Sequence, residues 1–109
     1  MMEIDILRHV EATRKRVAST TRELRCTERA LQYEEALMTL QVCGELDQGK
    51  PKYANDLVRK AEITRRLFLH TVWQDLVQHR DALEEAIASL GAEITYIDME
   101  VAYGQSQQV

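Results

Sequence analysis

The fold is decided by the stretch DQGKPKYAND, residues 47–56, which holds the only proline of the chain and one of its four glycines. Gly49 and Pro51 are typical of a turn between regular elements. Asn55 is a favoured residue for capping the start of a helix, and Asp56 suits the positive end of the helix dipole. The stretch therefore predicts the end of one helix, a turn, and the start of a second helix.

The segment before this turn, residues 3–43, contains neither proline nor glycine. One set of apolar residues recurs at intervals of seven, which is typical of a helix that packs along one stripe. This set consists of Val10, Val17, Leu24, Leu31 and Met38. A second apolar row is present only in the later half, so the apolar face widens towards the turn. That row consists of Cys26, Ala30, Tyr33, Leu37 and Leu40.

The segment after the turn carries a longer apolar row, whose members are spaced by three and four residues and interrupted only by Arg80. These members are Leu69, Trp73, Leu76, Leu83, Ile87, Leu90, Ile94, Ile97 and Val101. Such spacing over several heptads predicts coiled-coil packing. The polar end after Gly104 is expected to fray.

Length and composition agree with this interpretation. A chain of 109 residues is expected to form one domain, and 45% apolar residues are enough to build a core. Glycine and proline are too scarce for an all-β fold. We therefore predict an all-α antiparallel two-helix hairpin spanning residues 1–109. Its predicted parts are helix 3–44, turn 45–54, helix 55–103 and frayed tail 104–109.

Location can also be considered from composition. The net charge of −4 is mild and gives no general case for nucleic-acid binding. The N-terminus is charged from Glu3 onward, unlike a signal peptide, and no apolar run is long enough to cross a membrane. Two cysteines make no disulfide framework. The expected location is the cytoplasm, without membrane contact.

Charge placement suggests a register for the hairpin. If the chain reverses near residues 49 and 50, Arg14–Arg16 lie opposite Glu84 and Glu85, and Arg25 lies opposite Asp75. Glu34 and Glu35 then face Arg65 and Arg66, and Leu31 meets Leu69. His70 falls opposite Glu28 and Arg29, and His9 falls near Leu90. Exposed ion pairs are weak, so they are expected to select the register more than to stabilise it.

A two-helix hairpin can bury only one stripe of each helix, and this chain has more apolar surface than that near the turn. Large exposed apolar patches are uncommon in monomers. We therefore predict self-association, most simply as two hairpins in a four-helix bundle, with a different partner protein as the alternative. The candidate interface residues are Tyr33, Leu37, Leu40, Phe68, Val72 and Trp73.

The sequence contains no recognisable catalytic motif, phosphate-binding glycine loop or metal-binding spacing. His70 and His79 are nine residues apart, which does not suit two ligands on one helix face. Glu34 and Glu35 are adjacent, as are Glu84 and Glu85, so neither pair shares a face. We expect no catalytic residue, no cofactor and no metal, and hence no enzyme activity.

A basic cluster close to the turn offers a second hypothesis. Its residues are Lys50, Lys52, Tyr53, Arg59 and Lys60. Cations beside an aromatic ring can bind the phosphates and bases of nucleic acid. In the simpler interpretation the cluster is a solvated surface whose cations form ion pairs with nearby acids such as Glu45 and Asp47.

The segment Gly49, Lys50, Pro51, Tyr53 and Asn55 resembles the G-K-P-x-Y-x-N segment that introduces a long coiled coil in some small phage and prophage proteins. The resemblance covers about 20 residues and transfers no catalytic residue. It implies a helical hairpin and a mobile-element setting. The sequence as a whole favours a non-enzymatic structural or interaction protein, an oligomeric assembly or adaptor module. A nucleic-acid-associated accessory protein is the alternative.

Overall fold

The computed structural model describes residues 2–107, and the side chains of residues 3–104. The elements in chain order are α1 (Met2–Gly44), β1 (Leu46–Asp47), β2 (Lys50–Pro51), α2 (Asp56–Leu69) and α3 (Thr71–Gln107). The predicted all-α class is confirmed, because the two strands form only a short turn.

The turn is a small β-hairpin rather than an irregular loop. Leu46 pairs with Pro51, and Asp47 pairs with Lys50. The two residues between them, Gln48 and Gly49, have positive φ angles of 52° and 79°. Two central residues with positive φ match the right-handed twist of short hairpins, and glycine adopts this conformation without strain. The reversal is therefore fixed by the backbone of these two residues.

The second helix begins where the sequence predicts. The Asn55 side chain accepts a hydrogen bond of 2.8 Å from the backbone N–H of Leu57, and the backbone of Asn55 is extended. Asp56 lies in the first turn of α2, next to the positive end of the dipole. The predicted cap at Asn55 is thus confirmed.

The predicted continuous helix over residues 55–103 is wrong, because the chain leaves the helical conformation at His70. The backbone of His70 is extended, with φ −88° and ψ 114°, and its N–H donates to the Leu67 carbonyl. The Gln74 side-chain amide donates to the Phe68 carbonyl, and the Gln74 N–H donates to the His70 carbonyl. These bonds satisfy backbone groups that a helix end leaves free, so no proline or glycine is needed at the break.

The tail also differs from the prediction. We expected residues 104–109 to fray, whereas α3 is helical as far as Gln107. Residues 108 and 109 lie outside the described residues. No helix in the described part of the chain has a stretch long and apolar enough to cross a bilayer.

The chain forms two compact units. Of the described residues, 2–25 and 81–107 form unit 1, and 26–80 form unit 2. In unit 1 the buried residues are Thr13, Leu83 and Leu90, and His9 Nε2 lies 2.8 Å from Glu93 Oε1. In unit 2 the buried residues are Thr27, Leu31, Val42 and Leu67.

The three-four spacing of the second half is confirmed from Trp73 onward. The half-buried or buried members are Trp73, Leu76, Arg80, Leu83, Ile87, Leu90, Ile94 and Ile97. Arg80 belongs to this row instead of interrupting it. Leu69 and Val101 are exposed and lie outside the row. For Leu69 the reason is the extended residue His70, which changes the helical phase between α2 and α3.

The inward row of α1 contains threonines that the apolar pattern did not predict. Between the apolar residues at intervals of seven lie Thr13, Thr20 and Thr27, also at intervals of seven and also buried or half-buried. The Thr13 hydroxyl donates to the His9 carbonyl at 2.8 Å. The buried hydroxyl is thus satisfied within α1, as threonines in helices often are.

We expect Thr13→Val to raise the free energy of unfolding by up to about 1 kcal/mol. The substitution adds apolar surface at a site that is 2% exposed, and the His9 carbonyl keeps its helical hydrogen bond. Thr39→Val is the matched control, because Thr39 donates to the Glu35 carbonyl in the same way but is exposed. Urea unfolding measures both variants. Destabilisation of Thr13→Val by more than about 1 kcal/mol would mean that the hydroxyl has a partner outside α1.

The predicted register is wrong by three residues at the His9–Glu93 contact, by five at Glu34–His70 and by twelve at Glu45–Arg66. His9 contacts Glu93 instead of the neighbourhood of Leu90, and His70 contacts Glu34 at 3.1 Å instead of Glu28 and Arg29. The cause is the connector of residues 52–55, which follows the β-hairpin and crosses to α2 outside any helix. The prediction assumed a symmetrical turn and did not allow for this crossing.

The register shift changes the ion pairs. Arg65 and Arg66 both bind Glu62 in their own helix instead of forming the predicted pairs with Glu34 and Glu35. In unit 1, Lys15 pairs with Glu11 within α1. Leu31 is buried, but Leu69 is 69% exposed and is not its partner.

Candidate functional site

The two sides of unit 2 can be distinguished from helix geometry. Successive residues of an α-helix lie about 100° apart, so the two neighbours of an inward-facing residue lie on opposite sides of the helix. On α1, Met38 is half-buried, Leu37 precedes it and Thr39 follows it. Leu37 and Thr39 therefore belong to opposite sides of unit 2.

The helices of unit 2 run antiparallel. Glu45 contacts Arg66 and Glu34 contacts His70, so the partner number rises as the α1 number falls. In an antiparallel pair of right-handed helices, the residues that precede inward-facing positions share one side of the pair, and the residues that follow them share the other side. This rule assigns the exposed side chains of unit 2 to two surfaces.

The first surface, which we name the apolar flank, contains residues that precede half-buried ones. Leu40 is included because it lies seven residues, or two helical turns, after Tyr33 on the same face of α1. Its members and their exposed fractions are Tyr33 63%, Leu37 43%, Leu40 71%, Val58 49%, Leu69 69% and Val72 48%. Side chains of this size and exposure present on the order of 600 Å² of mostly apolar surface. A patch of that area is at the upper end of what a monomer exposes and marks an interaction site.

The second surface is a groove of about 430 Å³ on the opposite side of unit 2. It is lined by Glu35, Thr39, Lys60, Ile63, Thr64, Leu67, Phe68 and Trp73. Glu35, Thr39, Lys60 and Ile63 each follow a half-buried residue, as expected for the side away from the apolar flank. Phe68 and Trp73 meet edge to face with ring centroids 5.4 Å apart, so they close the groove at the helix break.

The six predicted interface residues are therefore divided between two surfaces. Tyr33, Leu37, Leu40 and Val72 lie on the apolar flank. Phe68 and Trp73 line the groove. The Trp73 indole N–H is buried and has no acceptor within the part of the chain that the structure describes. Trp73 thus lines the groove, whereas the exposed side chains of Tyr33, Leu37, Leu40 and Val72 belong to the flank.

Next to the apolar flank, Arg66 joins three elements of unit 2. Its Nη1 and Nη2 lie 2.5 and 2.7 Å from the two carboxylate oxygens of Glu45, and its Nε lies 2.7 Å from Glu62 Oε1. Its Nη2 also lies 3.4 Å from the Tyr53 hydroxyl. The Arg66 side chain is only 18% exposed. The guanidinium therefore fixes the end of α1 and the connector against α2.

These contacts shift the pKa values of the charged groups. Hydrogen bonds from Arg65 and Arg66 lower the pKa of Glu62 to about 2, and the hydrogen bond from Arg66 lowers the pKa of Glu45. Hydrogen bonds to Glu45 and Glu62 raise the pKa of Arg66. All three groups are charged near neutral pH, so their role is structural rather than acid–base.

The predicted basic cluster is partly used by the fold. Arg59 forms an ion pair with Asp56 in the first turn of α2. Tyr53 lies near two cations, with Lys52 Nζ 5.5 Å and Arg66 Cζ 6.0 Å from its ring centroid. Lys50 and Lys60 are exposed, and the structure of residues 2–107 gives neither an ion pair. The lysines of the cluster are therefore exposed at separate positions, and Tyr53 is in contact with Lys52 and Arg66.

His9 and His70 each contact a carboxylate and do not contact each other. His9 binds Glu93, and His70 binds Glu34. Within residues 2–107 no three metal-ligating side chains come close enough to hold an ion. Cys26 and Cys43 are both exposed and unpaired with each other.

Comparison of this chain with models of known protein families, with curated proteins and with solved structures finds no match. The function must therefore be argued from the surfaces of the protein itself.

Sequence reasoning missed the contacts of Arg66 at the site and the inward threonines of α1. The Glu45–Arg66 contact joins residues 21 apart and has no local pattern. The pairing of Arg66 with Glu62 could have been found, because the two are four residues apart in a helix. The inward threonines could also have been found from their interval of seven, had polar residues been included in the pattern.

Proposed function

We propose that this protein is a non-enzymatic assembly module, whose working surface is the apolar flank of unit 2. The proposal rests on one observation: six large apolar side chains lie on one side of unit 2 and are between 43% and 71% exposed. Leaving them in water costs about 25 cal/mol for each Å² that a partner could cover. Self-association through this flank is the simplest way to recover that free energy.

The remaining features fit an interaction protein better than a catalyst. The titratable residues of unit 2 with altered pKa values form ion pairs that hold the fold together. The groove is lined mainly by apolar and hydroxyl side chains, and its two charged lining residues are Glu35 and Lys60. We also propose a phage or mobile-element setting, which is supported only by the resemblance of residues 49–55 to small phage proteins.

The nucleic-acid alternative has weaker support. Arg59 is paired with Asp56, and Lys52 Nζ and Arg66 Cζ already lie 5.5 and 6.0 Å from the Tyr53 ring centroid, so a stacking base would compete with two cations. Lys50, Lys52 and Lys60 remain the residues that such binding would use. It stays an alternative prediction.

Light scattering over a range of concentrations tests the assembly function. We expect the wild-type chain to exceed the monomer mass at micromolar concentration, and Leu40→Lys to be monomeric, because a charge would enter the centre of the apolar flank. Leu40 is 71% exposed, so the substitution leaves the fold intact. Leu7→Lys is the matched control, since Leu7 is 67% exposed but lies in unit 1. A wild-type chain that stays monomeric at about 100 μM, where even weak specific complexes form, contradicts the proposal.

A further inference from the structure

The apolar flank has the area that a second copy of the chain requires. A standard protein interface buries about 800 Å² on each partner, of which somewhat more than half is apolar. The flank presents on the order of 600 Å² of mostly apolar surface, which leaves about a quarter of the interface for a polar rim. A symmetric dimer therefore requires charges at this rim that attract the same rim on a second copy.

Two charged residues at the rim meet this requirement. Arg29 precedes half-buried Ala30, and Asp75 precedes half-buried Leu76, so both lie on the side of the apolar flank. Glu34 contacts His70. Arg29 lies five residues before Glu34 in α1, and Asp75 lies five residues after His70, in α3. Measured from this contact, Arg29 and Asp75 stand at similar heights on the two edges of the flank, because the helices are antiparallel and only the extended residue His70 departs from the helical rise.

Both side chains are available for a partner. Arg29 and Asp75 are exposed, and neither has an ion pair in the structure of residues 2–107. One edge of the flank thus carries an unpaired positive charge and the other an unpaired negative charge. A surface with opposite charges at equal heights on its two edges is complementary to a copy of itself that is turned by a twofold rotation.

We propose that the partner on the apolar flank is a second copy of this chain, related by a twofold axis parallel to the helices. Such a rotation keeps the height along the helices and lays α1 of one copy over α3 of the other. Arg29 of each copy then faces Asp75 of the other, and the four helices of the two copies of unit 2 surround one apolar core. This inference rests on the proposed function and adds the symmetry and orientation of the two copies.

A charge exchange tests the arrangement. Arg29→Glu alone places Glu against Asp75 at both edges of a homodimer, and Asp75→Arg alone places Arg against Arg29. We expect each variant to dimerise about tenfold more weakly than wild type, because two like-charged contacts replace two favourable ones. In an equimolar mixture both contacts are opposite in charge again, so we expect a heterodimer with nearly wild-type affinity. Sedimentation velocity measures the affinities, and native mass spectrometry with one chain isotopically labelled identifies the heterodimer.

The control is Arg16→Glu, which makes the same charge change at an exposed position of unit 1 and is expected to leave the affinity unchanged. Circular dichroism verifies that each variant remains helical. If wild type dimerises through Leu40 but the single variants and the mixture match it, the twofold arrangement is wrong while the assembly function stands. If wild type is monomeric at about 100 μM, both the second copy and the assembly function are refuted.

Discussion

Replacing Leu67 by alanine is expected to lower the free energy of unfolding by about 2–4 kcal/mol. Leu67 is the one residue of α2 that is fully buried, at 7% exposure, and it packs beneath the groove in unit 2. Removing its isobutyl group loses both apolar burial and the contacts around the cavity that remains. Chemical denaturation followed by circular dichroism measures the loss.

Leu57→Ala provides the matched control in the same helix. Leu57 is 77% exposed, so the same deletion is expected to change stability by no more than about 0.5 kcal/mol. Equal losses for the two variants would show that α2 packs on a different face from the one described. The comparison should be made at low protein concentration, so that self-association contributes little to the measured stability.

The second large effect is expected for Arg66→Ala. The substitution removes the guanidinium that compensates both Glu45 and Glu62, whose side chains are only 29% and 15% exposed. Glu45 then has no ion-pair partner and Glu62 keeps only Arg65, and a poorly exposed carboxylate that loses its partner is more costly than a lost solvent-exposed ion pair. We therefore expect a clear fall in the melting temperature at neutral pH, measured by differential scanning calorimetry.

Arg65→Ala is the control for Arg66→Ala, because Arg65 contacts Glu62 but not Glu45 and is 61% exposed. Its effect should be smaller. Acid should reduce the difference between wild type and Arg66→Ala. A carboxyl whose pKa is lowered in the folded protein adds stability above its ordinary pKa of 4.5, and this stability is lost as the pH falls to about 2. A difference that persists unchanged at pH 2 would mean that Arg66 stabilises unit 2 by packing alone.

The main helices could be predicted from sequence because their signals are local. The absence of glycine and proline before Gly44, the cap at Asn55 and the spacing from Trp73 to Ile97 each depend on residues within one or two turns. The exposed apolar row of Tyr33, Leu37 and Leu40 was predicted for the same reason.

The register and the break at His70 could not be predicted in this way. His70 has no local sequence signal for a break, and its contact with Glu34 joins residues 36 apart and exists only in the folded chain. The predicted register rested on charge pairs, and a shifted register brings other opposite charges together at similar spacing. Consequently the interface prediction grouped Phe68 and Trp73 with the apolar flank, although they line the groove on the opposite side.

The division of the chain into units has a consequence for the order of folding. Unit 2 is one continuous segment, residues 26–80, whereas unit 1 is assembled from the two ends of the chain. Its contact between His9 and Glu93 closes a loop of 84 residues, while the contact between Glu45 and Arg66 closes a loop of 21. Closing the shorter loop loses less chain entropy, and once unit 2 is formed the ends of unit 1 are already held near each other. Folding should therefore proceed from the β-hairpin outward, so that unit 2 sets the folding rate and unit 1 is the first part to open.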